Sequence, residues 1–434
     1  MAKVSFFFSL VIWIGAMPVY SDTTTKDLES FQMVWDTINE KHWDLKGLGV
    51  DWQEVYNTYK PKADQAQSRA EIRRLISDML AELGQSHFQI LENEAFEDLD
   101  VLNSQLATGK GEPGFKVDLI GDRLFIVSID ADSDAARQGL KIGTEILELK
   151  GKKVDDLVEK VKKAYATAAH AEFYINRTMG TYIKGPIDAA LPLKVRTQDD
   201  IRDLKLALAK PKGTYKELFN FPPFLYSYES EILDNRIGYI SFNVFLMEVK
   251  TSFDKDIKRF METTDGLIID LRDNPGGLGM LASSLSNRLV SEKGQKLGQM
   301  INSGGTLFFA IFPQKPIYEK PVAVLINQGS ASTSEIFAAG LQDLNRARIF
   351  GTTSAGAALP SVITTLPNGD RFQYAIADYI STKGRHLEGH GVAPDEVTGH
   401  TLESLKRQED AAFEAAIDWI KNQNLVSGAK HENL

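Results

Sequence analysis

The 434-residue chain is long enough for two or three domains, each with its own core. Its formal net charge of -10, with no dense run of lysine and arginine, argues against nucleic acid or an anionic membrane surface as the main partner. The absence of cysteine excludes disulfides, thiolate catalysis and cysteine-ligated metals.

The amino terminus predicts a signal peptide, residues 1–21. Lys3 precedes an apolar run from Val4 to Met17, and Val19 and Ser21 occupy the small-residue positions of a cleavage site. An uncleaved anchor is the alternative, but the run is shorter than the ~20 residues that span a bilayer. We therefore expect an exported protein, periplasmic or secreted, with no stable membrane span after cleavage.

Residues 22–105 predict a helical segment. In SRAEIRRLISDMLAELG, apolar residues recur at helical spacing, Ser68 and Glu71 suggest a capping box, and Gly84 is a natural stop. Ser86 and His87 follow that stop directly. A linker, NSQLATGKGEP, comes next.

Residues 106–210 predict a small β module in which strand-like runs alternate with glycine turns, with a helical insertion at 155–187. The stretch DSDAARQGLKIGTEILELKGKKV resembles the second half of a PDZ domain. An ordinary β module is the alternative. The resemblance implies that the loop GEPGF, with Gly114 and Phe115, captures the C-terminal carboxylate of a peptide that adds as a strand.

Residues 225–425 predict an α/β domain. RIGYISF, DGLIIDLR and PVAVLIN are strand-like, and the last two are continuous enough to be buried on both faces. The turns DNPGG and QGSAS follow these two runs. STSEIFAAGLQDL then begins a helix, and EDAAFEAAIDWIKNQ predicts an amphipathic one near the end.

Three serines crowd the turn before the first of these helices. Ser332 falls between a strand end and a helix start, where unpaired N–H groups and the helix dipole favour negative charge. A serine nucleophile would also need a base and donors for an oxyanion. Helix capping by Ser330, Ser332 or Ser334 is the alternative explanation of the cluster.

GLIIDLRDNPGG followed by NQGSASTSEIFAAGLQDLNRARIFGTTSAG is similar to the core of the C-terminal processing (tail-specific) serine proteases. The resemblance implies a ClpP/crotonase-like α/β core, with Ser332 as nucleophile. It also implies an oxyanion hole made by Thr333 together with Gly276 or Gly277.

The sequence departs from the main branch of this family, which places a lysine base 25 residues after the serine. That position is Ala357, and the glutamine position of the same motif holds Ser361. A second branch, of the tricorn-core type, lacks the lysine and is the better template. In that branch a Ser-His pair and a glutamate complete the catalytic site. The resemblance implies that Ser86 and His87 are this pair and that Glu388, in EGHGVAPD, is this glutamate.

His87 would then be the base, because an unperturbed imidazole with a pKa of ~6.5 is mostly neutral at pH 7. Glu388 and Ser86 would orient or polarise it. His386 and His390 flank Glu388 and are alternative bases. No ligand spacing such as HExxH occurs, so we expect no metal and no cofactor.

These observations predict an exported serine endopeptidase that acts on protein or peptide substrates with a free C-terminus. Because the lysine is missing, a non-enzymatic protein on the same scaffold, binding a peptide tail or an apolar ligand, is the alternative. The sequence leaves the oligomeric state open.

Overall fold

The computed structural model describes residues 24–92, 110–164, 171–197, 200–216 and 224–431. The predicted signal peptide and most of the predicted linker lie outside the described residues. No helix within these ranges has both the length and the apolar character needed to cross a bilayer.

Four helices and a short strand form the amino-terminal part: α1 (Thr25–Lys41), α2 (Leu45–Leu48), α3 (Trp52–Gln65), α4 (Arg69–Ala81) and β1 (Gln89–Leu91). The predicted capping box is only half formed. Ser68 Oγ accepts the Glu71 N–H at 3.3 Å, but the Glu71 carboxylate accepts the N–H of Gln67, one residue too early to complete the box. Gly84 ends the helical region in the left-handed conformation (φ 61°), as its position predicts.

Residues 110–216 form a second unit, based on antiparallel strands. Its elements are β2 (Lys110–Gly111), β3 (Phe115–Ile120), β4 (Arg123–Ile129), α5 (Asp134–Arg137), β5 (Glu145–Leu149), β6 (Lys152–Lys153), α6 (Val154–Ala164), α7 (Ala171–Tyr182), β7 (Gly185–Pro186), β8 (Ala190–Arg196), β9 (Ile201–Ala207) and β10 (Thr214–Lys216). The main strand order is β3-β4-β5-β8-β9, so β3 lies at an edge. Helices α6 and α7 lie almost wholly within the predicted helical insertion, in which residues 165–170 lie outside the described residues and 185–186 form β7.

The remaining elements are β11 (Phe224–Tyr226), β12 (Tyr228–Ile232), β13 (Ile237–Phe242), α8 (Met247–Thr263), β14 (Gly266–Asp270), α9 (Met280–Ser286), β15 (Lys296–Asn302), β16 (Gly305–Ala310), β17 (Val322–Ile326), α10 (Thr333–Asp343), β18 (Arg348–Gly351), β19 (Ser361–Thr365), β20 (Arg371–Ala375), β21 (Asp378–Ser381), β22 (Glu396–Val397), α11 (Leu402–Lys406) and α12 (Ala411–His431). The predicted α/β class is confirmed. The central sheet has the order β12-β13-β14-β17-β18-β22 and is parallel from β13 onward.

Every residue of β14 and β17 is buried, as their continuous apolar runs predict. Leu267 and Ile269 face the core shared with α8, α9 and α10, whereas Ile268 faces the core beneath α12. The alternation places helices on both faces of the sheet. Because β14 and β17 are parallel neighbours, the loops after them meet at the carboxyl edge, where ligands of α/β sheets bind.

A small sheet brings the amino-terminal helices to this edge. Its strand order is β1-β20-β19, and its apolar face shares a core with α1, α3 and α4. A buried ion pair reinforces the contact, since Arg73 of α4 lies 2.6 Å from Asp370 beside β20. The segment between α4 and β1, which contains Ser86 and His87, is thereby fixed against the core.

The contacts between the second unit and the α/β core include the pairing of β10 with β11, an ion pair and a close approach of two backbones. Lys116 Nζ of β3 lies 3.0 Å from Asp273 Oδ2, in the loop that follows β14. Gly143 has φ 85°, and a Cβ added there would lie 2.5 Å from the carbonyl oxygen of Leu405 in α11. Only a glycine permits this approach of the two backbones.

Candidate active site

The three crowded serines have different environments. Ser330 Oγ donates to Leu271 O at 2.7 Å and accepts the Asn327 N–H at 3.0 Å. Ser334 Oγ donates to Asn274 O at 2.9 Å. Both serines are fully buried, and they join the loop after β17 and the first turn of α10, respectively, to the loop after β14. Ser332 is only half-buried, so of the three its hydroxyl is the one accessible to a substrate.

Ser332 is held in a strained backbone conformation at the start of α10. Its φ of 55° and ψ of -116° lie outside the regions that L-residues favour, which costs about 1–3 kcal/mol and persists only when neighbours enforce it. Ser332 is also the N-cap of α10, and the Glu335 carboxylate accepts its N–H at 3.0 Å, as in a capping box. Capping alone does not explain the strained backbone, because an N-cap residue ordinarily has extended backbone angles.

Glu335 enforces that conformation. Its buried carboxylate accepts four hydrogen bonds: Oε2 from Ser332 N–H (3.0 Å) and Ala357 N–H (2.9 Å), Oε1 from Gly356 N–H (2.8 Å) and Ser354 Oγ (2.6 Å). Burial raises the pKa of Glu335 to about 7, although these hydrogen bonds favour the ionised form. The carboxylate thus fixes both the turn before α10 and the loop at 354–357.

The two glycines of DNPGG lie against this turn. A Cβ added to Gly276 (φ 100°) would lie 2.8 Å from Ser332 Cβ and 2.9 Å from Thr333 N, so no other residue fits there. The Gly276 N–H is already bound to Asn274 Oδ1 at 2.9 Å. In contrast, the Gly277 N–H makes no hydrogen bond within the described residues.

Thr333 supplies a second available N–H, because the first N–H of a helix has no partner within that helix. Its side chain is tied to the glycine turn, since Thr333 Oγ1 donates to Gly277 O at 3.0 Å. Gly277 and Thr333 therefore offer two backbone donors beside Ser332. This arrangement can stabilise a negative charge that develops on oxygen.

Ser86, His87 and Glu388 are in contact, although Glu388 is about 300 residues away in sequence. Glu388 accepts the Ser86 N–H at 2.6 Å through Oε1 and the Ser86 hydroxyl at 3.0 Å through Oε2. Ser86 Oγ lies 2.7 Å from His87 Nδ1. His87 itself has φ 63°, a further strained position at this site.

These contacts determine the tautomer of His87. An ionised carboxylate only accepts hydrogen bonds, so the Ser86 hydroxyl proton points to Glu388. Ser86 Oγ is then the acceptor for His87 Nδ1–H. Nε2 consequently carries the lone pair, which is the state that a general base requires.

One peptide group joins this network to Ser332. The carbonyl oxygen of Ala357 accepts the Ser332 N–H at 2.8 Å, and the N–H of the next residue, Ala358, donates to Glu388 Oε2 at 3.1 Å. Ala357, which occupies the lysine position of the main branch, is buried. The structure thus brings Ser332, Glu388, Ser86 and the oxyanion donors to one place.

The other candidate bases are engaged elsewhere. His386 Nδ1 lies 2.9 Å from Asp378 Oδ2, and His390 Nδ1 lies 2.8 Å from Glu388 O. Both imidazoles are exposed. Neither contacts the Ser86 hydroxyl, so the geometry favours His87.

Charged groups surround the glycine turn on the side of the second unit. The charge of Asp273 raises the pKa of Lys116, its ion-pair partner. Burial, together with the charge of Asp273, raises the pKa of Asp118 to about 6. Among the residues that the structure describes, no group of three or more histidine, aspartate or glutamate side chains could hold a metal ion.

The predicted carboxylate-binding residues lie at the start of β3. Gly114 has φ 73°, and an added Cβ would lie 2.3 Å from Ser133 Cβ, so the turn requires glycine. Phe115 is buried in the apolar core of the second unit. Neither residue contacts Ser332, so this loop and the serine turn are separate sites.

Sequence reasoning missed two residues that organise the site. Asn274 binds Gly276 N–H through its side chain, and its carbonyl oxygen accepts Ala331 N–H at 3.0 Å. Glu335 stands three residues after Ser332, in the S-x-x-E spacing of a capping box, which was a usable signal. The signal would not have revealed that Glu335 also binds the loop at 354–357.

An accessible serine at a strained strand-to-helix turn, with an imidazole held by a carboxylate network, is the arrangement of hydrolases that act through a serine nucleophile. Comparison with known proteins supports this class. Residues 236–398 match the profile of peptidase family S41, and residues 25–81 match the Tricorn protease C1 domain. Residues 236–398 thus match peptidase family S41, and the prediction of a serine peptidase is confirmed at that level.

Individual relatives agree with this assignment. The carboxyl-terminal-processing protease of Synechocystis sp. is 23% identical over 414 residues, covering 94% of this chain and 90% of that protein. The solved photosystem II D1 C-terminal processing protease has a TM-score of 0.55 at 21% identity, covering 90% of this chain and 99% of that one. Mature CPAF has a TM-score of 0.59 at 16% identity, covering 92% and 97%.

Proposed function

We propose that the protein is an exported endopeptidase that cleaves protein substrates near a free C-terminus, with Ser332 as nucleophile and His87 as general base. The observation that carries the proposal is the peptide group at 357–358, which binds Ser332 on one side and the Glu388–Ser86–His87 network on the other. The names of the relatives support C-terminal processing.

In this mechanism Ser332 Oγ attacks the scissile carbonyl carbon while His87 Nε2 removes its proton. The oxyanion accepts hydrogen bonds from the N–H groups of Gly277 and Thr333. His87 then gives the proton to the leaving amine, and water hydrolyses the acyl ester by the same steps in reverse. Ser86 and Glu388 act as positioning residues that keep Nε2 unprotonated and stabilise the imidazolium.

We assign the oxyanion donor to Gly277 rather than to Gly276, because the N–H of Gly276 is already bound to Asn274. The second unit would bind the substrate tail, its carboxylate at Gly114 and Phe115, and so raise the local concentration of the cleavage site. The PDZ-like character of this unit and the export of the protein stay predictions.

Cleavage kinetics on a quenched peptide with an apolar, free C-terminus test the proposal. Ser332→Ala should abolish turnover, and His87→Ala should lower kcat on the order of 10⁴-fold. His390→Ala is the matched control, because this imidazole is also close to Glu388 but exposed, and it should retain near-normal kcat. Equal losses in the two histidine variants, or none in His87→Ala, would reject His87 as the base.

A fluorophosphonate probe separates the enzyme from the alternative of an inactive binding protein. Covalent capture at Ser332 in the folded chain supports the enzyme. A folded chain that binds the peptide but reacts with no probe would support the binder.

A further inference from the structure

The edge strand β3 and helix α6 of the second unit contribute to one apolar cluster, and the space between them is the groove in which a tail that adds to β3 would place its side chains. Among the described strands, β3 pairs with β4 alone, so its outer edge can accept another strand. Phe115, Val117 and Leu119 share one face of β3, because side chains alternate along a strand. Together with Val158 and Val161 of α6 they belong to one apolar cluster.

Helix α7 fills this groove. It packs against both β3 and α6. Ile175, Met179 and Tyr182, with Ile183 just after the helix, follow helical spacing and join the same apolar cluster. Met179 and Ile183 are almost fully buried. The side chains of α7 therefore occupy the space in which the apolar side chains of a bound tail would lie.

The C-terminal end of α7 is anchored beside the predicted carboxylate loop. The strand that follows it, β7, pairs with β2, which immediately precedes that loop. Lys184 forms an ion pair with Glu112, a residue of the loop itself. The helix thus ends where a peptide carboxylate would be captured.

We propose that α7 is an intramolecular occupant of the tail-binding groove, which a substrate tail must displace; this inference rests on the proposed binding of tails by the second unit. A twelve-residue helix is marginal in water without tertiary contacts, so α7 can leave the groove without retaining its own structure. The apparent affinity for a tail is then the affinity of the open groove multiplied by the fraction of molecules in which the groove is open.

A charge on the buried face of α7 tests the inference in the full chain. In a Ser332→Ala background, which prevents cleavage, Met179→Glu should bind a fluorescein-labelled peptide with an apolar free C-terminus at least tenfold more tightly. Thr181→Glu, on the exposed side of the same helix, is the matched control and should change the affinity less than twofold. Unchanged or weaker binding by folded Met179→Glu overturns the inference. An equal gain in affinity for the same peptide with an amidated C-terminus also overturns it.

Hydrogen exchange in the Ser332→Ala chain provides a second test, in case Met179→Glu does not fold. Saturating peptide should accelerate exchange at 175–183 and slow it at 115–120. Slowed or unchanged exchange at 175–183 overturns the displacement of α7. Cleavage of the peptide by the wild-type chain tests the proposed function separately. If the peptide is cleaved although α7 stays in the groove, the inference is refuted and the proposed function is not.

Discussion

Glu335→Gln probes the carboxylate that holds Ser332. Because burial raises the pKa of Glu335 to about 7, folding must tolerate a costly charge at neutral pH. Below pH ~4.5, the pKa of an exposed glutamate, the side chain is protonated in both the folded and the unfolded chain and carries no penalty. As the pH rises from about 4.5 to about 7, the unfolded chain has released this proton while the folded chain still holds it, so stability falls and then levels off above the folded pKa.

The size of this loss of stability follows from the rise in the pKa of Glu335. The difference between 4.5 and about 7 corresponds to roughly 3 kcal/mol of stability lost between pH ~4.5 and pH ~8. Glutamine does not titrate, so Glu335→Gln should lack this loss. Across the same pH range, the free energy of unfolding of the wild type should therefore fall by roughly 3 kcal/mol more than that of Glu335→Gln.

The glutamine nevertheless costs activity. Each carboxylate oxygen accepts two hydrogen bonds. An amide NH₂ in place of Oε2 faces two backbone N–H donors, and one in place of Oε1 faces the Gly356 N–H and the Ser354 hydroxyl, which can turn to accept. In either orientation at least one backbone N–H loses its acceptor. Each lost partner costs about 1–3 kcal/mol, and the turn at Ser332 relaxes. We expect kcat at pH 8 to fall at least tenfold.

Urea denaturation from pH 4.5 to pH 8 provides the measurement. Glu262→Gln, at an exposed position on α8, is the control and should differ from the wild type by a constant of about 0.5 kcal/mol or less. If the curves of the wild type and Glu335→Gln run parallel across this range, the argument from burial is wrong.

Three further predictions concern the support of the site. Ser330→Ala should cost about 1–3 kcal/mol of stability, measured by urea denaturation, because it leaves buried partners unpaired, while fluorophosphonate labelling of Ser332 continues; lost labelling in a folded variant would speak against this division of roles. Gly276→Ala should slow labelling at least tenfold, since the new methyl would lie 2.8 Å from Ser332 Cβ, and an unchanged rate would contradict the close approach. Arg73→Met removes the positive charge that faces the buried carboxylate of Asp370, so we expect about 3–5 kcal/mol of destabilisation, and a thermal midpoint equal to that of the wild type would disprove the contribution of the ion pair.

The elements that sequence predicted well are those with strong local signals. The runs that became β14 and β17 are continuous and apolar, and the stop at Gly84 and the helix after Ser332 follow from residue type and position. The contact between Ser86 and Glu388 could be expected only from resemblance. It depends on the β1-β20-β19 sheet, a pairing across some 280 residues that no local pattern encodes.

Other features depend on tertiary packing alone. The Glu71 carboxylate binds the N–H of Gln67 instead of the N–H of Ser68. The two donors are adjacent in sequence, and a sequence pattern does not distinguish between them. The docking of α7 on β3 was likewise beyond the sequence, because helical spacing predicts an apolar face but does not say which surface that face will cover.

The structure of a phosphonate adduct tests the central claim most directly. A fluorophosphonate bound to Ser332 mimics the tetrahedral intermediate. We expect His87 Nε2 within about 2.6–3.2 Å of Ser332 Oγ, and the phosphonyl oxygen on the N–H groups of Gly277 and Thr333. An adduct on another residue, or an imidazole of His87 turned away with a different base in its place, would contradict it.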